Sequence, residues 1–126
     1  MIKSSIVMRR DMDLIRLMLL TIEANDHGFA PHPIEIQGYT QEQIGYHAVL
    51  LGEAGLAKVH DVTHMGSASP EAMITSLTWF GHEFLDSARQ NQVWNLTKDA
   101  IGKIGGASLD IWLALLSANI KSMLGI

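Results

Sequence analysis

The chain contains no cysteine. A disulfide framework, a thiolate nucleophile and a cysteine-bound zinc are excluded together. No apolar run approaches the ~20 residues that a membrane helix needs. The opening MIKSSIV is too short for the ~7–15 apolar residues of a signal-peptide core, so the expected compartment is the cytoplasm. Catalytic patterns are missing as well. There is no Gly-x-Ser-x-Gly of a nucleophile elbow and no Gly-x-x-x-x-Gly-Lys of a phosphate loop, and Gly105-Gly106 reads as a break between helices. The pair Asp11 and Asp13 suits a helix start, with Asp13 near Arg9 and Arg16. The expectation is a non-enzyme with no cofactor and no metal.

What is present is enough for one folded domain. The 126 residues are 48% hydrophobic and 17% charged, the balance of a packed chain rather than a disordered one. Residues 8–24 predict a helix, because Ile15, Met18, Leu19 and Ile22 recur at helical spacing, with Leu14 and Leu17 widening the stripe. Residues 1–7 precede that pattern and read as an extension, which leaves Met1 and Met8 both open as the native start. Pro31 and Pro33 bar helix continuation, and residues 34–36 alternate like a short strand. Thr40 and Gln43 then form a capping box for a helix over 40–54 that turns Ile44, Ala48 and Leu51 inward, with Gly55 as its stop.

Residues 57–64 and 72–77 predict a β-hairpin packed beside the 34–36 strand, with residues 65–70 as a mobile tip. Thr78 caps a third helix that buries Trp79, Phe80, Phe84 and Leu85, while Gly81 permits a close approach. Two more helices follow, over 93–103 and 108–124. The sum is an α+β chain, mainly α. Its order of helix, strand, helix, hairpin and helix is that of a winged helix over 8–90, less the usual extra helix before 40–54, for which residues 37–39 leave no room, with an appended helical pair over 91–126, all in a single domain.

The stretches RRDMDLIRLMLL, GYTQEQIGYHAVLLGEAGL, LTWFGHEFLDSAR and VWNLTKDAIGKIGG together resemble a family of uncharacterised bacterial and phage proteins, domain of unknown function 2513. The resemblance implies a short winged-helix protein of the kind encoded in phage or prophage regions, and it brings no activity with it.

In a winged helix the 40–54 segment would be the DNA reader, and here positive charge is what the sequence lacks. No Lys or Arg occurs between Gln41 and Ala57 or between Lys58 and Arg89, and the net charge is −4. Duplex binding draws its affinity from neutralised phosphates. Gln41 and Gln43 have the chemistry to bond adenine edges, and Arg9, Arg10 and Arg16 form one basic patch on the first helix. These five residues carry the alternative reading, a DNA-binding transcription regulator. Opposite the inward face of the 40–54 helix, Tyr46, Val49 and Leu50 make an apolar centre flanked by Glu42 and Glu53.

Histidine adds little. His60 and His64 would share a helix face, but on a strand their spacing spans ~13 Å, too far for one zinc. His47 reads as a packed, hydrogen-bonded residue. On the last helix, Leu109, Trp112, Leu113, Leu116, Ile120, Met123 and Leu124 form a docking stripe, and Ile111 and Leu115 lie on a second apolar face. The preceding helix covers that face through Val93, Leu96, Ala100 and Ile104, or another subunit does. The expected function is that of a non-catalytic module that contacts protein, itself included, through Tyr46, Val49, Leu50, Ile111 and Leu115.

Overall fold

The computed structural model describes residues 7–126, so the reading of residues 1–6 as part of an extension lies outside the described residues. The helices are α1 (Met12–Glu23), α2 (Gln41–Glu53), α3 (Trp79–Ala88), α4 (Asn91–Gly102) and α5 (Leu109–Leu124). The strands β1 (Ala57–Asp61) and β2 (Ala72–Leu77) stand between α2 and α3. Among the described residues the fold is α+β and mainly helical, with five helices and one two-stranded antiparallel sheet.

Helix α1 begins at Met12 and not at residue 8 as expected, because Asp11 is its cap and accepts from the Leu14 N–H at 3.2 Å. Its buried stripe is Leu14, Ile15, Met18, Leu19 and Ile22. Helix α2 opens on the capping box: the Gln43 N–H donates to Thr40 Oγ1, and the Thr40 N–H donates to Gln43 Oε1. It closes on Gly55 at φ +74°. The Leu56 N–H reaches back to the Leu51 carbonyl at 2.9 Å and the Gly55 N–H to the Gly52 carbonyl, the paired closure of a Schellman end. Thr78 fastens this end to α3. Its N–H donates to the Leu56 carbonyl, its hydroxyl donates to the Gly55 carbonyl, and the same oxygen caps Gly81.

The hairpin region differs from expectation in two ways. Strand β1 stops at Asp61, and one further bond, from the Val62 N–H to the Glu71 carbonyl, continues the pairing. No strand forms over 34–36. The stretch before it touches the sheet through the Ala30 N–H, which donates to the Thr75 carbonyl at 2.9 Å. Ile34 is buried there, and its carbonyl accepts from the Gln41 amide. Two side-chain bonds cross the tip: Ser69 donates to the Glu42 carboxylate and Ser67 to that of Glu71.

Helix α3 buries Gly81, Phe84, Leu85 and Ala88. Trp79, expected inside, is 81% exposed. At ~100° per residue it stands about 160° from Gly81 around the helix, and Gly81 is the residue held against the Leu56 carbonyl. One cluster of buried apolar side chains runs from Leu14 to Leu116, so α4 and α5 share the core of the preceding elements.

Candidate interaction surface

The C-terminal helices are fixed by their inner faces. On α4 these are Val93, Trp94, Thr97 and Ile101, and on α5 Trp112 and Leu116. Trp94 and Trp112 stack with ring centroids 4.8 Å apart, and the Arg16 guanidinium lies 5.4 Å from the Trp94 ring. The Trp94 indole N–H donates to Asp13 Oδ1 at 2.8 Å, and Lys98 Nζ stands 3.3 Å from Asp13 Oδ2. Asp13 therefore serves α4 directly, where the sequence had paired it with Arg9 and Arg16 on its own helix. Thr97 donates to the Val93 carbonyl and accepts from the Asn119 amide at 2.8 Å, so even the buried polar side chain has its partners.

Anchoring through Trp94 and Thr97 rotates α4 away from its expected stripe. Of Val93, Leu96, Ala100 and Ile104, only Val93 is buried. Ile104 lies beyond the last residue of α4 and is 73% exposed. On α5 the docking stripe also ends early. Leu109, Leu113 and Ile120 are half-buried, while Met123 and Leu124 are exposed. Ile111 is 47% exposed, and Leu115, expected beside it at the surface, is half-buried against the core. The outward apolar groups are thus Leu96, Ile104, Ile111, Met123 and Leu124. Sequence periodicity had placed four of these five on inner faces.

The other candidates are scattered. Tyr46, Val49 and Leu50 are half-buried, and Val49 packs against the core. For Val49 the reason is the hairpin: Gly52 has no side chain, so Val59 closes onto α2, and Gly45 meets Glu71 in the same way, whereas Leu50 stands beside Met12, Ile15 and Leu109. The apolar centre is partly covered rather than open. The three arginines do not form one patch. Arg16 turns inward and donates to the carbonyls of Ala88 at 2.6 Å and Arg89 at 2.7 Å and to Asn91 Oδ1. Burial pushes its pKa down, and nearby Asp13 opposes that. Arg9 and Arg10 stay exposed at the start of α1, where Arg10 donates to the Ala107 carbonyl. The Gln41 and Gln43 amides bond Ile34 and Thr40 within the chain.

His47 is buried as expected. Its Nε2 accepts from the Asp11 N–H at 2.9 Å, which places the proton on Nδ1, facing the Gln43 carbonyl. Tyr39 donates to Asp11 Oδ2. Its hydroxyl is pushed up to about 12 by burial first, and then by the Asp11 charge and hydrogen bond. His60 lies in β1, while His64 lies beyond it, with Nδ1 accepting from the Gly66 N–H. Among the described residues no three His, Asp or Glu side chains gather as a metal site requires, and no helix is long and apolar enough to cross a membrane.

Residues 9–108 match a family model described as Hypothetical protein (DUF2513). The chain belongs to that family. An uncharacterized protein of Haemophilus influenzae is 36% identical to this DUF2513 chain over 119 residues, which cover 93% of the chain and 99% of that relative. No solved structure matches. The family match ends just before α5, so Ile111 and Leu115 lie outside it.

Proposed function

We propose that this DUF2513 protein is a non-catalytic winged-helix module that associates with a second copy of itself through α5. The order α1, α2, hairpin, α3 supports the winged-helix part, and the Ala30–Thr75 bond stands where that fold carries a third strand. The observation that carries self-association is Ile111. Its helix is already docked through Trp112 and Leu116, and Ile111, turned away from that pair, stays 47% exposed. Ile111, Leu115 and Ala118 follow one another along the same face of α5, and two copies related by a two-fold axis would lay that face on itself. Each large apolar side chain buried contributes ~1.5–3 kcal/mol.

Charge favours a second copy at this place. Residues 91–126 carry three lysines against two aspartates, net +1, while residues 1–90 are net −5. Two acidic bodies meet with least repulsion through their C-terminal helices. Sedimentation equilibrium on the wild type and Ile111→Arg tests the reading. The expected result is a wild-type dimer and a folded, monomeric variant. Leu115→Arg is expected to unfold the protein instead, because it sets an unpaired charge against the core. A wild type that stays monomeric at millimolar concentration overturns the proposal.

A second reading, a DNA-binding regulator, draws on the exposed Arg9 and Arg10. It lacks cations on α2, and Gln41 and Gln43 have partners of their own. No sequence-specific duplex binding through α2 is expected in a gel-shift assay at near-physiological salt. A specific complex that Gln41→Ala or Gln43→Ala abolishes would restore this reading.

A further inference from the structure

We propose that the cleft between the start of α1, Tyr39 and the 106–112 stretch binds a small organic acid, one carboxylate or phosphate-ester head on an apolar body. The cleft has a volume of about 510 Å³, within the ~300–1,000 Å³ of small-molecule sites. Arg9, Arg10 and Lys98 line it together with Asp11 and Asp13. Three cations thus meet two carboxylates in a chain whose net charge is −4.

The carboxylates already have partners. Asp11 accepts from the Leu14 N–H with one oxygen and from the Tyr39 hydroxyl with the other. Asp13 accepts from the Trp94 indole and pairs with Lys98. The two guanidiniums are the groups with donors left to give. Arg9 makes no side-chain hydrogen bond to a described residue, and Arg10 makes one, from Nη2 to Ala107. Each offers N–H donors in a planar fork that matches the oxygens of a carboxylate or phosphate. Met12, Leu14 and Trp112 line the same cleft with apolar atoms, Leu14 and Trp112 from within the core. A charged mouth above an apolar floor selects an amphipathic acid. A bare inorganic anion would satisfy the mouth alone, and a neutral molecule of the same shape the floor alone.

The test is an amide chemical-shift titration of the full chain with benzoate, phenyl phosphate and the neutral isostere benzamide. At least one of the two acids is expected to saturate, with shifts centred on residues 9–13, 39 and 106–112. The tighter of the two identifies the head group. Arg9→Gln and Arg10→Gln, both surface changes, are each expected to weaken that acid about tenfold, the effect of losing a hydrogen bond to a charged group. Lys121→Gln, on α5 outside the cleft, is expected to leave binding unchanged. The proposal is overturned if neither acid saturates, if benzamide binds equally, if the shifts centre elsewhere, or if both arginine variants bind as the wild type does. None of these outcomes depends on self-association, so the two proposals stand or fall separately.

Discussion

His47 is 1% exposed, and its Nε2 accepts from the Asp11 N–H, a bond that requires the neutral imidazole, while Nδ1–H donates to the Gln43 carbonyl. Burial pushes its pKa down, against smaller upward pulls from the Gln43 carbonyl and the Asp11 charge. The folded chain therefore binds this proton less readily than the unfolded chain does. Stability from this residue is complete above the ordinary imidazole range and falls as pH drops through and below it. Urea midpoints are expected to decline from pH 7.5 to 5.5, and His47→Gln, which does not titrate, to flatten that slope. An unchanged slope in the variant would remove His47 from the account. Gly81 gives a second expectation at a single position. A Cβ there would run into the Leu56 carbonyl, whereas at Gly52 it would meet the Val59 side chain. Backbone has less room to yield than a rotamer does. Gly81→Ala is expected to cost about 1–3 kcal/mol in denaturant unfolding, and more than Gly52→Ala.

Helix ends were legible from the sequence because their chemistry is local. Thr40, Gln43, Gly55 and Thr78 act within a few residues of themselves, and all four do in the structure what their spacing implied. Helix faces were less legible. The inward face of α4 is chosen by a bond from Trp94 to Asp13, 81 positions apart, and no periodicity within α4 contains that partner. The 34–36 segment alternates as a strand does, yet the contact with the sheet falls earlier, at Ala30, and alternation alone does not say where a partner lies. The same distant contacts make Arg16 the fastener of α1 to the α3–α4 junction, through two terminal carbonyls and Asn91. Arg16→Lys keeps the charge and loses the fork, so the set cannot be bonded at once. A loss of about 1.5–3 kcal/mol is expected, with a shifted tryptophan fluorescence from Trp94 beneath it. A variant as stable as the wild type would mean that these bonds contribute nothing net.

For the molecule as a whole, the two readings of function differ in the sign of their salt dependence. Each copy carries −4, concentrated outside the C-terminal helices. Association through an apolar α5 face brings two acidic bodies together, so the unfavourable long-range term is repulsion. Raising salt from 10 to 150 mM shortens the screening length from ~30 to ~8 Å. Repulsion between the bodies fades over that range, while apolar burial at the contact is nearly untouched. Dimer affinity is therefore expected to rise with salt. Duplex binding through Arg9 and Arg10 would move the other way, because it gains from counterion release and weakens as salt increases. Because a dimer contact forms between folded copies, the thermal midpoint should also rise with protein concentration, and more steeply at 150 mM than at 10 mM. Ile111→Arg should remove the concentration dependence while leaving the His47 pH slope in place. A dimer that salt dissociates would show that charge, not the Ile111 face, holds the copies together.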